Sequence, residues 1–197
     1  MYELPTSIIV KDKEFHITNQ GDFRMVLDCF DALNDEEMGE DYQILASLII
    51  FFEEFDDILD VQDNSEYTTE LTREMFKFFN CGNTEVIGAV TSKPVIDWAG
   101  DSQMICSAVN KVANTEIRAL EYLHWWTFMG YYMSVGESVL STVVSIRDKI
   151  NRGKSLEKWE KEFRRDNPQY FMWKKKSLDE QRLEAVIGGL WNTGGEE

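Results

Sequence analysis

The apolar positions of this chain recur mostly at the spacing of a helix. Phe23, Val26, Leu27, Phe30 and Leu33 stand at i, i+3, i+4, i+7 and i+10, and a 3.6-residue period lines such positions up on one side. Gly21 and Asp22 open that helix. The same pattern predicts a second helix over 41–55, with Leu45, Leu48, Ile49, Phe52 and Phe55 on one side. A third covers 66–79, with Leu71, Met75, Phe78 and Phe79 inward, and Cys81-Gly82-Asn83 supplies the glycine expected past its end. Residues 82–95, with Gly82, Gly88 and Pro94, read as a loop. Asp101 is placed to N-cap a fourth helix carrying Met104, Ile105, Ala108, Val109 and Val112.

The fifth helix is expected over 117–135, with Gly136 breaking it. The sixth carries Val139, Leu140, Val143, Ile146 and Ile150 and ends at Arg152-Gly153. Ser155 then caps a short seventh helix with Leu156, Trp159 and Phe163 inward. Its pairs Glu157 with Lys161 and Glu160 with Arg164 have the favourable order, and Pro168 stops it. A period of two shows only at the start, where TSIIVKDKEFHI (6–17) reads as a small hairpin around a polar KDKE. The expected fold is mainly α: a compact domain of six to seven helices with a small N-terminal β-hairpin, over residues 1–171. Residues 172–197 form an amphipathic C-terminal tail. There Ser177 and Glu180 make a capping box, and Leu183, Val186, Ile187, Leu190 and Trp191 fall on one face. The tail either lies back on the core or docks a partner; Gly188 and Gly189 weaken it as a free helix.

Composition adds limits to this picture. A chain of 197 residues suggests one domain, and 43% hydrophobic against 28% charged residues makes it globular, not disordered. The three prolines, Pro5, Pro94 and Pro168, leave helices uninterrupted. The net charge of −16 lies wholly in residues 1–100, which hold 22 acidic and 6 basic side chains; residues 101–197 hold 14 of each. Such a chain repels phosphates, so nucleic acid is not an expected partner. Cys29, Cys81 and Cys106 form no CxxC pair and sit in or beside apolar runs, as reduced thiols do. The N-terminus lacks the basic and apolar regions of a signal peptide.

Candidate chemistry is sparse. The stretch LHWWTFMGYYMSVG (123–136) is too diluted by Gly130, Ser134 and Gly136 for a membrane span. Glu121 with His124 has the i,i+3 spacing of a di-metal carboxylate bundle, but the other histidine, His16, has a lysine at position 13 and no second half exists. Glu53, Glu54, Asp56, Asp57, Glu70 and Glu74 could imitate the magnesium-binding pairs of an all-α nucleotide pyrophosphatase, with Glu53, Glu54, Asp57 and Glu70 as ligands, though no basic residue lies near them in sequence to hold phosphate. A solvated acidic face is the plainer account. No catalytic residue, cofactor or metal site is assigned. What remains for the aromatic stretch is core or partner surface. Trp125 and Trp126 point about 100° apart on a helix, so one fills the core and the other meets a neighbouring helix or a partner. The candidate partner-binding residues are therefore Trp125, Trp126, Tyr131 and Tyr132, with Leu183, Val186, Ile187, Leu190 and Trp191 in the tail.

The segment LHWWTFMGYYMSVGESVLSTVVSIRDK (123–149) resembles the region around the LHWW motif of a bacteriophage family often labelled gp fifteen. FHITNQGDFRMVLDCFDAL is similar to that family's entry into its first helix. VIDWAGDSQMICSAVNKV is similar to its acidic D-x-x-x-D lead, and SIRDKINRGKSLEKWEKEFRRDNPQYF to its closing segment. The resemblance covers residues 5–171. It departs at Asn110, where the family pattern suggests a bulkier aromatic, and it stops before the tail. It implies a gene in the tail module of long-tailed phages, beside those for the major tail protein and the tape measure protein. The implied role is a tail assembly chaperone without enzymatic activity, acting in the host bacterial cytoplasm and absent from the finished virion. It would keep the long helical tape measure protein soluble while the tube polymerises. A paired chaperone made by frameshift, contacts to the major tail protein and self-association would fit the same role. Retention in the virion as a tail terminator or completion protein is the rival expectation.

Overall fold

The computed structural model describes residues 3–54, 56–58, 65–83 and 94–172. It is mainly helical with an N-terminal two-stranded hairpin, as the pattern predicts. The strands are β1 (Ser7–Val10) and β2 (Lys13–His16). The helices are α1 (Phe23–Leu33), α2 (Glu40–Phe51), α3 (Ser65–Phe79), α4 (Ser102–Ala113), α5 (Trp125–Met133), α6 (Val139–Asn151) and α7 (Lys158–Asp166), with 3-10 turns at Thr18–Gly21, Ile117–Ala119 and Pro168–Tyr170. Residues 56–58 are helical as well. No helix among the described residues is long and apolar enough to cross a membrane.

In the hairpin, Ile8 faces Phe15 and Val10 faces Lys13. The connecting Lys11 and Asp12 take φ 47° and 65°, the left-handed pair whose twist matches two right-twisted strands. Val10 and Phe15 point into the core while Ile9 is exposed. The outer edge of β2 is covered. Glu53 N–H donates to the His16 carbonyl at 3.0 Å, and Ile17 pairs with Phe52. This pairing corrects the second helix. It ends at Phe51, because Phe52 turns extended to meet Ile17. The buried positions of α2 are Ser47, Leu48 and Phe51, while Leu45 and Ile49 are only half-buried. Ser47 Oγ donates to the carbonyls of Gln43 (2.8 Å) and Cys29 (3.2 Å), and this small hydroxyl satisfies itself where α1 and α2 meet.

The core is aromatic. Phe23 stacks on Phe128 with centroids 4.8 Å apart. Phe51 meets Phe78 at 5.2 Å and Phe79 at 5.5 Å, both edge-on, geometries that aromatic quadrupoles favour. The inward residues expected for α3 are all buried. The end of α3 differs in detail: Cys81 (φ 55°) and Gly82 (φ 84°) are both left-handed. Gly82 N–H reaches Lys77 O and Cys81 N–H reaches Phe78 O, which closes the helix. Cys29 and Cys106 are buried and all three cysteines are free; burial pushes the Cys29 thiol up to about 12.

Three further expectations are corrected. Asp101 stands at the N-terminus of α4, but its carboxylate makes no capping bond. It accepts from Asp97 N–H and from both terminal nitrogens of Arg147, a bidentate pair buried at both ends. The seventh helix begins at Lys158, capped by a box between Glu157 and Glu160, not by Ser155. Its faces are also turned: Trp159 is 52% exposed and Glu160 only 1%, because Glu160 pairs with Lys149 of α6 at 2.6 Å. On α6, Leu140, Val143 and Ile146 are buried as expected, while Val139 and Ile150 are exposed. Phe55, residues 84–93 of the expected loop and the tail residues Leu183, Val186, Ile187, Leu190 and Trp191 lie outside the described residues.

Candidate functional site

The fifth helix starts later than its apolar run. Residues 117–119 are a 3-10 turn, 120–124 are not helical, and the α-helix begins only at Trp125. The cause is distant in sequence. Asp22, buried at the start of α1, accepts from Leu123 N–H at 2.9 Å, and Phe23 N–H donates to Leu123 O at 2.9 Å. A backbone engaged this way has no N–H or C=O left for a helix at Leu123. The same carboxylate caps α1 through Arg24 N–H and binds the Arg24 guanidinium. That guanidinium in turn donates to the carbonyl of Leu120 at 2.6 Å. Asn110 holds the turn from the other side: its Oδ1 accepts from Ile117 N–H at 2.8 Å and its Nδ2 donates to Glu116. Arg118 pairs with Glu116 and holds that carboxyl at about 2.

His124 is the N-cap of α5. Its Nδ1 accepts from Trp126 N–H at 3.0 Å, so the proton sits on Nε2, which donates to Pro5 O at 3.1 Å. The ring is 1% exposed. Burial pushes its pKa down, against the opposing pull of the Pro5 carbonyl and Asp22. His124 thereby ties α5 to the chain just ahead of β1. Gly21, at φ +79°, makes room for it: a Cβ there would lie 2.7 Å from Phe78 Cζ and 3.0 Å from His124 Nε2.

The two tryptophans act on one target. Trp125 Nε1 donates to Phe79 O and Trp126 Nε1 to Phe78 O, both at 2.9 Å. These are the last two carbonyls of α3, where a helix leaves its acceptors without intrahelical partners. Adjacent indoles 100° apart are suited to adjacent carbonyls on another helix end. Trp125 is 1% exposed and sits among Phe30, Trp98 and Phe128. Trp126 is half-buried against Gly82. Tyr131 and Tyr132 are half-buried and pack on the core, Tyr132 beside Trp98 at 5.4 Å. Of the four residues named on this helix, Trp125 presents no surface, and the others present part of a ring. Met133, which the pattern does not single out, is 78% exposed. Position at the end of an apolar run is the only signal that could have marked it.

The carboxylates considered for metal are engaged separately. Glu54 accepts from both His16 N–H and His16 Nδ1, Asp57 pairs with Lys13 at 2.6 Å and Glu70 with Arg73 at 3.4 Å. No group of three or more His, Cys, Asp or Glu side chains among the described residues could hold an ion. A groove of about 680 Å³ lies elsewhere; Asp28, Glu53 and Glu121 line it, with Ile50 and Tyr122.

What these positions define is a helical domain whose aromatic pair locks one helix onto the end of another. A family model described as Bacteriophage Gp15 protein matches residues 1–171. The chain belongs to that bacteriophage family. Searches of curated proteins and of solved structures returned no match.

Proposed function

We propose that this protein is a non-enzymatic chaperone of phage tail assembly that binds the tape measure protein and keeps it soluble until the tail tube polymerises. The observation that carries the reading is family membership over residues 1–171. The physical character of the surface supports it. α2 is apolar on nearly all sides, and Ile44, Leu45, Ile49 and Ile50 are only partly covered. Acidic residues bracket this helix, Glu36, Glu37, Glu40 and Asp41 before it and Glu53 and Glu54 after it. An apolar stripe fenced by charge suits a helical client with apolar stripes of its own, and the charge keeps the coated complex soluble. The working place is the host cytoplasm during assembly.

The test is co-expression with the long helical protein encoded just downstream. The expected result is a soluble complex with many copies of this chain per client. An insoluble client with nothing co-purifying, also when any paired chaperone is supplied, overturns the reading. Mass spectrometry of purified particles then decides for the rival: a structural subunit is present at defined copy number, a chaperone is missing. Changing Glu40 and Asp41 to Gln and Asn should lower client solubility; unchanged solubility removes the role given to the acidic residues.

A further inference from the structure

We propose that the outer edge of β1 takes up an extended, uncharged segment of another protein as an antiparallel third strand. The two-residue connection makes Val10 and Lys13 a hydrogen-bonded pair, so Ser7 and Ile9 turn their N–H and C=O groups away from β2. On β2 the outward groups of His16 are taken, its carbonyl by Glu53 N–H and its N–H by the Glu54 carboxylate. On β1 no described residue takes those of Ser7 and Ile9. The strand itself, SIIV, carries no charge, no proline and no bulge, three devices that close an edge elsewhere. Ile9 is 71% exposed.

Beside that edge runs a groove of about 350 Å³. Ile8 and Ile9 line it from β1, Phe78 from α3 and Trp126 from α5. His124 donates to Pro5 O at 3.1 Å, which fixes the chain just ahead of β1 against the start of α5 and holds edge and groove together. An added strand turns every second side chain to the face that carries Ile8 and Phe15, the side on which Phe78 and Trp126 stand. Backbone bonds to the edge then give affinity, and the groove receives the alternate side chains.

Charge defines the occupant. Glu74 and Lys77 are the two charged side chains of the lining. They pair with each other at 2.8 Å, and Glu74 also meets Arg73 at 3.5 Å. On the outer face of the sheet Glu14 accepts from Ser7 Oγ at 2.6 Å. A charged side chain entering the groove would lose its water and find each counter-charge already paired, a cost that an apolar side chain does not meet. A second copy would bring its own net charge of −16 against that of the first. An uncharged segment meets no such repulsion.

The test uses the full chain and a synthetic peptide, so its failure leaves the chaperone reading untouched. The probe is acetyl-Lys-Thr-Val-Thr-Ile-Thr-Val-Thr-Lys-amide, whose terminal lysines lie outside the paired stretch and keep it dissolved. In an antiparallel seat its central threonines turn their N–H groups to Ser7 and Ile9, and its valines turn theirs away. The expected result is saturable binding with a Kd of about 1 mM or tighter, read as NMR shifts and slowed exchange at the Ser7 and Ile9 amides. N-methylation of the two central threonines should weaken binding at least about tenfold, and N-methylation of the two valines should not. Ile9→Pro removes an outward N–H and no bond of the hairpin; it should weaken binding as much, and Ile9→Thr should not. No binding by the parent peptide, equal binding by the two methylated peptides, or loss on valine methylation alone overturns the proposal. Ser7 and Ile9 amides already slow to exchange in the free monomer assign the edge to the chain itself. A dimer that Ile9→Pro dissociates assigns it to a second copy. Either result overturns the proposal as well.

Discussion

Trp125 donates its indole N–H to the carbonyl of Phe79, 46 positions earlier, at 2.9 Å, and does so from inside the core. The bond joins the first turn of α5 to the last turn of α3. Trp125→Phe should therefore cost about 2–4 kcal/mol, combining an orphaned buried acceptor with lost volume. Trp126→Phe should cost about 1 kcal/mol or less, because Phe78 O keeps the N–H of Cys81 as a partner. Urea denaturation of the two variants checks this; equal losses would show that the indole donors are not what distinguishes the two positions.

Asp101 and Arg147 are buried together. Removing one partner leaves the other's buried charge without its counter-charge, which costs about 3–5 kcal/mol. Asp101→Asn and Arg147→Met should each show a loss of that size, and the double variant should recover part of it. A double-mutant cycle by denaturation measures the coupling. Strict additivity would mean that the two act independently.

The two histidines should titrate on opposite sides of the ordinary value of 6.5. Hydrogen bonding to Glu54 raises His16, and burial lowers His124. For His124 the unfolded chain binds the proton more readily than the fold. Its neutral form thus stabilises the fold above about pH 6.5, and that stability is lost as pH falls towards its folded pKa. His16 works the other way: its contribution is present below pH 6.5 and is lost as pH rises through its raised folded pKa. Ring-proton shifts followed by NMR against pH, with His16→Gln to assign the signals, test both. A midpoint for His124 at or above 6.5 refutes its role as a neutral cap.

Gly21 and Gly153 are both left-handed, at φ +79° and +65°. A Cβ at Gly153 meets nothing within 4 Å, whereas one at Gly21 meets Phe78 and His124. Gly153→Ala should cost only the backbone term, about 1 kcal/mol. Gly21→Ala should cost that and the displacement of two core rings, about 3 kcal/mol or more. Thermal melts compare them; similar shifts would mean the rings give way freely.

The helices legible in the sequence are those whose faces are set by burial alone. The stripe from Phe23 to Leu33 and the run Leu71, Met75, Phe78, Phe79 are readable because water on one side and core on the other impose a period of 3.6. What escapes the pattern is long-range polar bonding. Nothing near Leu123 announces that Asp22 will take its N–H, so the apolar run from 117 reads as helix. Nothing near Asp101 marks it as the partner of Arg147 and not a cap. Glu160 is inward because Lys149 waits there, and a hydropathy pattern assigns that position to Trp159. The LHWW motif is recognisable by its rarity, but its task as a double cap on another helix depends on geometry that only the fold supplies.

The carboxylate of Asp22 has a consequence for the order of synthesis. Its buried donor partner, Leu123 N–H, is made about a hundred residues later, which at about 5–20 residues per second is a delay on the order of 5–20 s on the ribosome. Through that interval α1 has its local cap, Asp22 accepting from Arg24 N–H, but not its tertiary lid, and the part of the chain already made carries the whole net negative charge. Like-charged nascent chains on one polysome repel, so the interval in which the aromatic core stands open is also the interval in which neighbouring copies are held apart.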